Sequence, residues 1–380
     1  MNKVIYLDNA ATTYPKPEAV YRSVDECMRE YGGNPGRGTH SLAMRAAEKI
    51  YDCREMIAQF FYAPSPESVV FTYNTTYALN IAIKSHLVYG SHLLISDIEH
   101  NSVLRPVHEC AARGFCTFDI FPTVGGDDAI IAAILQRLKP DTRMVICNHL
   151  SNIGSRILPI KRISQICHER NIILIVDGAQ SAGTIPISTK EQGIDILCVP
   201  GHKGLYGPQG VGVMIVTSEL PSRTFVEGGS GIHSLERDMP SFLPERHEAG
   251  TLATPSIAGL LSGLQWIKQR GMDKIAAEEQ RLSYIAQKWL SDIPGVTVYP
   301  MDTNITNTFC FNVNHKTPQE VGERLNAHGI CVRSGLHCAP LAHESLQTGK
   351  YGAVRVSIGA FNRLDEIATL CNVTEKIARE

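Results

Sequence analysis

The chain has 380 residues, of which 43% are hydrophobic and 19% charged, and a chain of this length is expected to form two domains rather than one. Its formal net charge of −2 gives no reason to expect nucleic acid or an anionic membrane as a partner. No apolar run approaches the length of a membrane-spanning helix, and the first residues lack the apolar region of a signal peptide, so we expect a cytoplasmic protein.

Short apolar runs alternate with helical patterns over the first two thirds of the chain. A helical period follows Pro17 and ends near residues 32–33, a second helix opens near Thr75, and a third spans 160–170. The predicted buried strands are 68–72, 93–96, 144–148, 172–177, 194–199 and 211–216. Strands that alternate with helices predict a mostly parallel sheet with both faces covered.

The pattern changes after Gly250 and Thr251. The helices predicted there are 256–270, 272–290, 318–328 and 364–378, and the strands are 296–299, 308–313 and 354–358. This order is typical of a smaller α+β domain. We therefore predict a large α/β domain over residues 14–250 and a small α+β domain built from residues 1–13 and 251–380.

Lys203 lies in a glycine-rich segment, 26 residues after Asp177. Gly201 and Gly204 allow the backbone to approach another group closely. Asp177 ends the apolar run 172–176, and ligands of open α/β sheets bind beyond the carboxyl ends of strands. The pair suits pyridoxal 5′-phosphate (PLP), with an amine for its aldehyde and a carboxylate for its ring nitrogen. A surface lysine in a flexible loop is the alternative for Lys203 taken alone.

Three further candidate contacts follow predicted strand ends. Gln180 can hydrogen-bond the phenolate oxygen of the PLP ring. Thr75 and Thr76 begin a helix, where free N–H groups and hydroxyls can bind a phosphate, although an ordinary N-cap is the simpler interpretation. His100 can stack on the ring and transfer protons, or it can be a structural histidine. One pocket at the strand ends would collect all of these residues, and together they favour PLP.

Cys338 differs from the other ten cysteines because it stands in a loop bounded by glycine and proline. The eleven cysteines are scattered without a CxxC pair, which does not indicate a disulfide framework. The segment 333–340 places Cys338 beside His337, where a partly exposed thiolate would be found. A structural cysteine is one alternative. A metal bound by His337, Cys338 and His343 is another, but the spacing lacks the paired ligands of a structural zinc site, and we predict no metal.

Seven short motifs follow one another along the chain, namely Tyr6–Thr13, Gly36–His40, Glu99–His100, His149–Asn152, Asp177 with Gln180, His202–Lys203 and Glu248–Thr251. Together they resemble the motifs of the class V aminotransferase group of PLP fold type I, and within it the cysteine desulfurase and selenocysteine lyase branch. The resemblance runs almost end to end. It implies an α/β enzyme with PLP as cofactor, whose large domain has a mostly parallel sheet covered by helices and whose smaller domain is α+β.

The resemblance also implies roles for single residues. Those given cofactor contacts are His100 on the ring, Asn152 beside cofactor and substrate, Asp177 at the ring nitrogen, Gln180 at the phenolate, His202 at the phosphate and Lys203 at the aldehyde carbon, and we add Thr75 and Thr76 at the phosphate from the helix start described above. His100 and Lys203 would also be catalytic. Thr251 would reach the phosphate of a partner subunit, which implies a homodimer with shared active sites.

The segment around Cys338 resembles the persulfide-forming loop of the desulfurases. Arg355, 17 residues further on, matches the arginine that binds the substrate carboxylate, together with Asn152; a guanidinium can hold a carboxylate with two hydrogen bonds. This short interval resembles the second, short-loop desulfurase group. The implied reaction converts L-cysteine to L-alanine, with Lys203 taking the α-proton. The sulfur is held as a persulfide on Cys338 for a sulfur-acceptor protein or small thiol.

Three positions depart from the family pattern. Pro200 replaces a serine or threonine that contacts phosphate, Asn74 replaces a glycine or alanine, and Leu336 replaces a histidine. The competing functions are a selenocysteine lyase, another class V lyase or aminotransferase in which Cys338 is incidental, and a non-catalytic PLP-binding scaffold. Turnover of selenocysteine, alanine release by Cys338→Ser and the visible absorbance of Lys203→Ala would separate them.

Overall fold

The computed structural model describes residues 4–36, 38–154, 156–299 and 306–380. Residues 1–3 of the predicted small domain and Arg37 of the second motif lie outside the described residues. The strands within these ranges are β1 (Ile5–Tyr6), β2 (Val69–Thr72), β3 (Ser91–Ser96), β4 (Cys116–Phe121), β5 (Thr142–Asn148), β6 (Ile173–Asp177), β7 (Ile196–Pro200), β8 (Gly212–Val216), β9 (Val296–Val298), β10 (Thr308–Val313), β11 (Ile330–Cys331), β12 (Arg333–Gly335) and β13 (Ala353–Ser357).

Helices alternate with these strands along most of the chain. They are α1 (Glu18–Glu30), α2 (Ser41–Phe61), α3 (Thr75–Ser85), α4 (Asn101–Ala112), α5 (Asp127–Arg137), α6 (Ile160–His168), α7 (Thr189–Gln192), α8 (Thr254–Arg270), α9 (Met272–Ser291), α10 (Pro318–Ala327), α11 (Pro340–Ser345) and α12 (Leu364–Arg379). In the part of the chain that the structure describes, no helix is both long enough and apolar enough to span a bilayer.

The central sheet has seven strands in the order β2-β8-β7-β6-β5-β3-β4. The four neighbouring pairs from β7 to β4 are parallel, and only β8 runs antiparallel to both of its neighbours. This arrangement confirms the predicted α/β class with a mostly parallel sheet. The edge strand β4 was not expected, because polar Thr117 and Asp119 interrupt its apolar pattern.

Both faces of the central sheet are covered, which explains why its inner strands are continuously apolar. Alternate residues of a strand point to opposite faces. Leu94 and Val145 pack in one hydrophobic cluster with residues of α2, α5, α6 and α8. Leu93 and Met144 pack in another cluster with residues of α3 and α4. The result is a three-layer helix–sheet–helix body.

The carboxyl ends of the parallel strands lie side by side at one edge of the sheet. The register pairs Asn148, the last residue of β5, with Asp177, the last residue of β6. On the other side of β6, Asp177 pairs with Cys198 of β7. The loop that carries Lys203 begins directly after β7. This edge therefore collects the polar residues that end each strand.

A second, four-stranded antiparallel sheet has the order β12-β13-β10-β9, and β1 pairs in parallel with β11. The apolar face of the four-stranded sheet packs with α9, α10 and α12 in a separate cluster. Helix α8 contributes Ile257, Leu260 and Leu264 to the cluster of the central sheet. The division of the chain at residues 250 and 251 stays a prediction.

Candidate active site

One pocket at the carboxyl edge of the central sheet collects eight of the predicted site residues. They are Thr75, Thr76, His100, Asn152, Asp177, Gln180, His202 and Lys203. The lining is completed by Asn74, Ser102, Asn148, Leu150, Ala179 and Pro200. The structure thus brings these side chains together, while their chemical roles stay predictions.

The Lys203 loop packs closely against the segment that follows Asp177. A Cβ atom at Gly204 would lie 2.2 Å from the carbonyl oxygen of Ala182, a separation that only glycine permits. The carbonyl of His202 accepts hydrogen bonds from the Thr13 backbone N–H at 3.1 Å and from Lys16 Nζ at 2.6 Å. The N-terminal segment therefore fixes the peptide that precedes Lys203.

Lys203 is half-buried and lines the pocket. Burial lowers the pKa of Lys203 to about 8, and the nearby carboxylate of Asp177 opposes this shift while Arg355 and Arg333 add to it. At pH 7 about one amine in ten is then uncharged, far more than at the ordinary pKa of a lysine, and the uncharged form is the one that a nucleophile or proton acceptor requires.

Asp177 is buried at the end of β6. Burial raises the pKa of its carboxyl, while the hydrogen bond from Ala179 N–H at 2.9 Å and the charge of Lys203 lower it. Burial costs this carboxylate solvation energy, and the attraction of a positively charged ring nitrogen in contact with it would offset that cost. The position is therefore suited to a protonated pyridine nitrogen.

The N-terminus of α3 has two free backbone amides that face the pocket residues. Asn74 is the N-cap, because its Oδ1 accepts a hydrogen bond from Tyr77 N–H at 2.9 Å. The simpler N-cap interpretation thus applies to Asn74 and not to Thr75 or Thr76. Within the described residues, the amides of Thr75 and Thr76 have no protein acceptor, and the buried hydroxyl of Thr75 has no partner. Helix N-termini of this kind bind phosphate.

His202 completes this polar end of the pocket. Its Nδ1 is buried and has no partner in the described structure. Burial, followed by the charges of Lys203 and Lys16, lowers the pKa of His202 to about 4. The imidazole is therefore neutral at working pH. Pro200 also lines the pocket and brings no hydroxyl or N–H.

His100 is the N-cap of α4, and its orientation is fixed by Ser102. His100 Nδ1 accepts from Ser102 N–H at 3.1 Å and lies 2.8 Å from the Ser102 hydroxyl. Burial and the charges of Lys203 and Arg333 lower the pKa of His100 to about 4. Its neutral ring thus presents Nε2 rather than Nδ1 to other partners. Gln180 is held in a similar way, since its Nε2 donates to the Ala10 carbonyl at 3.1 Å.

Arg355 in β13 is fully buried beside the pocket and carries an internal counter-ion. Its Nη2 lies 2.6 Å from Oδ1 of Asp8, and its Nη1 donates to the Asn152 carbonyl at 3.2 Å. Its Nε is buried and has no partner in the described residues. One donor of the guanidinium is therefore available to a carboxylate. Asp8 was not predicted as a site residue, because its partner lies 347 positions away.

Cys338 is exposed, in contrast to nine buried cysteines and the half-buried Cys331. Its carbonyl accepts a hydrogen bond from Asn101 N–H at 2.7 Å. The carbonyl of His337 accepts from Asn152 Nδ2 at 2.8 Å. These two bonds connect the Cys338 loop to Asn101, which follows His100, and to Asn152, whose carbonyl contacts Arg355. Asn101 was not expected from the sequence, since only its backbone takes part.

The structure does not favour a metal at this loop. All ring nitrogens of His337 and His343 have hydrogen-bond partners. Across the described ranges, no group of three histidine, cysteine, aspartate or glutamate side chains could hold a metal ion.

Thr251 lies outside the pocket of Lys203. It is exposed and lines a separate cavity, where its hydroxyl accepts from Asn34 Nδ2 at 3.3 Å. Within a single chain, the structure does not bring Thr251 to the other predicted site residues.

The pocket residues fit PLP. Thr75 Oγ1, His202 Nδ1 and Asn152 Oδ1 are buried polar atoms without partners among the described residues, and such atoms in a native protein bond to water, an ion or a ligand. Two free amides at a helix N-terminus suit its phosphate. Asp177 suits its ring nitrogen, and Lys203 suits its aldehyde.

The model of the family described as "Aminotransferase class-V" matches residues 5–370. The chain therefore belongs to the class V aminotransferase family, whose enzymes use PLP. A probable cysteine desulfurase of Methanothermobacter thermautotrophicus is 32% identical over 385 residues, which cover 98% of this chain and 94% of that protein. Another, from Mycolicibacterium paratuberculosis, is 32% identical over 383 residues and covers 99% of this chain, but the chain spans only 55% of that longer relative.

Solved structures of cysteine desulfurases have the same fold. One from Thermococcus onnurineus superposes with a TM-score of 0.90 at 29% identity, covering 99% of this chain and 95% of its own. One from Escherichia coli superposes with a TM-score of 0.89 at 25% identity, covering 99% and 95%. The fold is PLP fold type I, as predicted. Membership of the short-loop group stays a prediction.

Proposed function

We propose that the chain is a PLP-dependent cysteine desulfurase, which converts L-cysteine to L-alanine and holds the sulfur as a persulfide on Cys338. One observation carries this proposal: the exposed Cys338 belongs to a loop that Asn101 and Asn152 attach to the rim of the Lys203 pocket. The names of the similar proteins support the same activity.

The cofactor would be held by residues from four strand ends. Thr75, Thr76 and His202 would bind its phosphate, Asp177 its ring nitrogen and Lys203 its aldehyde carbon. His100 would cover the ring, and Gln180 has a second amide hydrogen for the phenolate oxygen. Bound PLP supplies an electron sink that acidifies the α-proton of an amino acid.

Arg355 would orient the substrate through its carboxylate. Arg355 Nε is the buried donor without a partner, and Nη1 already contacts the carbonyl of Asn152. Asn152, which this nitrogen contacts, also has an Oδ1 without a partner that can accept from the substrate. The same asparagine contacts the Cys338 loop. Substrate and nucleophile are thereby brought to one place.

Lys203 would take the α-proton. Burial lowers the pKa of Lys203 to about 8. Part of the amine is therefore uncharged near neutral pH, and this form is basic enough to accept a proton. Neutral His100 beside it adds no competing positive charge.

Cys338 would take the sulfur. Its thiolate attacks the substrate sulfur, forming an S–S bond while the substrate C–S bond breaks. The electron pair of that bond stays with the substrate, whose β-carbon gains a proton, and L-alanine is complete when Lys203 returns the α-proton to the α-carbon. The Cys338 persulfide then passes its outer sulfur to an acceptor protein or a small thiol. Such nucleophilic catalysis needs an accessible thiolate.

The test is to mix PLP-loaded protein with one equivalent of L-cysteine and to measure alanine and the mass of the peptide that contains Cys338. We expect alanine in step with one added sulfur atom on Cys338. Cys338→Ser should lose both signals, whereas Cys331→Ser, at a half-buried position in β11, should keep them. Alanine release by Cys338→Ser at the wild-type rate would refute the proposal.

We further propose a homodimer in which Thr251 serves the pocket of the partner subunit. The support is that Thr251 is exposed and lies outside the pocket of its own chain. We also propose a cytoplasmic location, since all eleven cysteines, each within the described ranges, are free and free thiols are typical of reducing compartments. We also propose that the two domains divide at residues 250 and 251 and that the chain belongs to the short-loop desulfurase group. Light scattering, and the PLP affinity of Thr251→Val, test the dimer.

A further inference from the structure

Two buried histidines lie behind the Cys338 loop and bond to each other. His337 Nδ1 lies 3.0 Å from His343 Nε2, and the rings are 5.2 Å apart at an angle of 24°. His337 Nε2 lies 3.0 Å from the Arg333 carbonyl, and His343 Nδ1 lies 2.7 Å from the Thr348 hydroxyl. The four groups form a continuous chain from β12 across α11.

The direction of every hydrogen bond in this chain follows from one group. The Arg333 carbonyl can only accept, so His337 Nε2 carries the hydrogen and donates. In a neutral ring, His337 Nδ1 must then accept from His343 Nε2. His343 Nδ1 consequently accepts from the Thr348 hydroxyl. Both rings are held in a single tautomer, and burial lowers the pKa of both imidazoles, that of His343 to about 4.

The backbone that carries Cys338 has a conformation that needs such support. His337 and Cys338 have φ angles of 49° and 56°, and Ala339 N–H donates to the Leu336 carbonyl at 2.8 Å. Two successive positive φ values are typical of a type I′ turn, which favours glycine and asparagine. For other residues this left-handed conformation is strained. Contacts outside the turn must therefore hold it.

Three contacts do so. Asn101 holds the carbonyl of Cys338, Asn152 holds that of His337, and the histidine chain holds the His337 ring. Only the last acts on a side chain of the turn itself. Because the ring is bonded at both nitrogens, it cannot rotate without breaking a buried hydrogen bond. The same turn fixes the direction of the Cα–Cβ bond of Cys338, one residue further on.

We propose that His343 is a positioning residue for the sulfur-transfer step: it holds His337, and through the turn it directs the Cys338 thiol towards the substrate sulfur. The inference rests on the proposed function. His343 touches neither substrate nor cofactor in this role. Its effect should therefore fall on the rate of persulfide formation and not on the binding of L-cysteine.

Three substitutions separate the bonds of His343 from its bulk. His343→Phe keeps a flat ring against His337 and removes both hydrogen bonds. His343→Gln keeps an N–H for His337 Nδ1 and is the conservative rescue. Thr348→Val removes only the hydroxyl at the far end of the chain. Thr369→Val is the matched control, since its hydroxyl donates to the Asp365 carbonyl at 2.8 Å in the exposed face of α12.

Two rates are measured on PLP-loaded protein: alkylation of Cys338 by iodoacetamide, and persulfide formation in a single turnover. The absorbance change on mixing reports the binding of L-cysteine. His343→Phe should slow persulfide formation about 10-fold or more, as expected for a misdirected nucleophile, with binding changed by less than about 2-fold. Its alkylation rate should rise roughly 3-fold or more, because a freed turn exposes the thiol. His343→Gln should restore most of both rates, and Thr348→Val should fall between them.

The inference is overturned if His343→Phe leaves both rates within about 2-fold of the wild-type values. It is also overturned if binding, PLP content and both rates fall together and His343→Gln does not rescue them, since that pattern indicates support of the fold alone. If His343→Phe does not fold, Thr348→Val and His343→Gln decide in the same way. A wild-type protein that forms no persulfide refutes the proposed function, whereas the alkylation rates still test the positioning.

Discussion

The ion pair between Arg355 and Asp8 leads to a prediction that tests the substrate side of the pocket. Asp8→Ala removes the carboxylate that lies 2.6 Å from Arg355 Nη2. Among the described ion pairs, Arg355 has no other carboxylate partner. The guanidinium would be left buried and uncompensated. We expect Asp8→Ala to unfold more easily and to bind L-cysteine less tightly.

The size of both effects follows from the burial of the pair. The side chains of Arg355 and Asp8 are 2% and 20% exposed. Breaking a buried pair by removing one partner costs about 3–5 kcal/mol, and water reaches Asp8, so we expect about 3 kcal/mol. We also expect Asp8→Ala to bind L-cysteine about 10-fold less tightly. Without Asp8 the guanidinium of Arg355 loses its orientation, and one charge-assisted hydrogen bond contributes about 1.5 kcal/mol.

Urea unfolding followed by circular dichroism measures the first effect. A titration of L-cysteine into Cys338→Ser protein, followed by visible absorbance, measures the second without turnover. Asp25→Ala is the matched control, because the side chains of Asp25 and Arg29 form an ion pair and are 62% and 75% exposed. We expect this substitution to lower the free energy of unfolding by less than about 1 kcal/mol. Asp8→Asn keeps a hydrogen-bond acceptor and should lie between Asp8→Ala and the wild type.

Equal stability of Asp8→Ala and Asp25→Ala would show that the Arg355 pair contributes no more than a surface pair. Tighter binding of L-cysteine by Asp8→Ala would show that Asp8 competes with the substrate carboxylate instead of orienting its arginine. Either result would refute the reasoning above.

Thr75→Val should weaken PLP binding about 5-fold in a fluorescence titration of the apoprotein, because it removes one hydrogen bond to the phosphate; unchanged affinity would contradict the phosphate contact. Burial raises the pKa of Glu279 from its ordinary value of 4.5 to about 8. The folded state therefore keeps a proton that the unfolded state loses, and this contribution to stability, full below about pH 4.5, disappears as the pH rises through 8. Between pH 5 and 8.5, urea unfolding should show wild type losing roughly 2–4 kcal/mol relative to Glu279→Gln; parallel pH profiles would contradict this.

Much of the fold was predictable because the inner strands are buried on both faces. The runs that became β5, β6 and β7 were identified within two residues of their observed ends. Strand β4 was missed because it lies at the edge of the sheet, where only its two end residues are buried and polar Thr117 and Asp119 interrupt the apolar pattern. The long helix α2 was also missed.

The pocket around Lys203 was predictable for a related reason. Each of its residues follows a strand end, and the carboxyl ends of parallel strands meet at one edge. Asp8 and His343 could not be found in this way. Asp8 meets Arg355 across 347 positions, and such a tertiary contact leaves no local pattern. His343 lies near its partners His337 and Thr348 in the sequence, but the same local pattern also suited a metal site, and the hydrogen bonds follow only from the conformation of the turn and of α11.

The pairing of Asp8 with Arg355 also has a consequence for synthesis on the ribosome. Every residue proposed to hold PLP within its own chain lies between Thr75 and Lys203, whereas Arg355 and Cys338 are made much later. Chains fold from the N-terminal side as they emerge. A growing chain can therefore assemble its cofactor cradle well before it can recognise an amino acid. Asp8 is among the first residues synthesised, but it can pair with Arg355 only after almost the entire chain has been made.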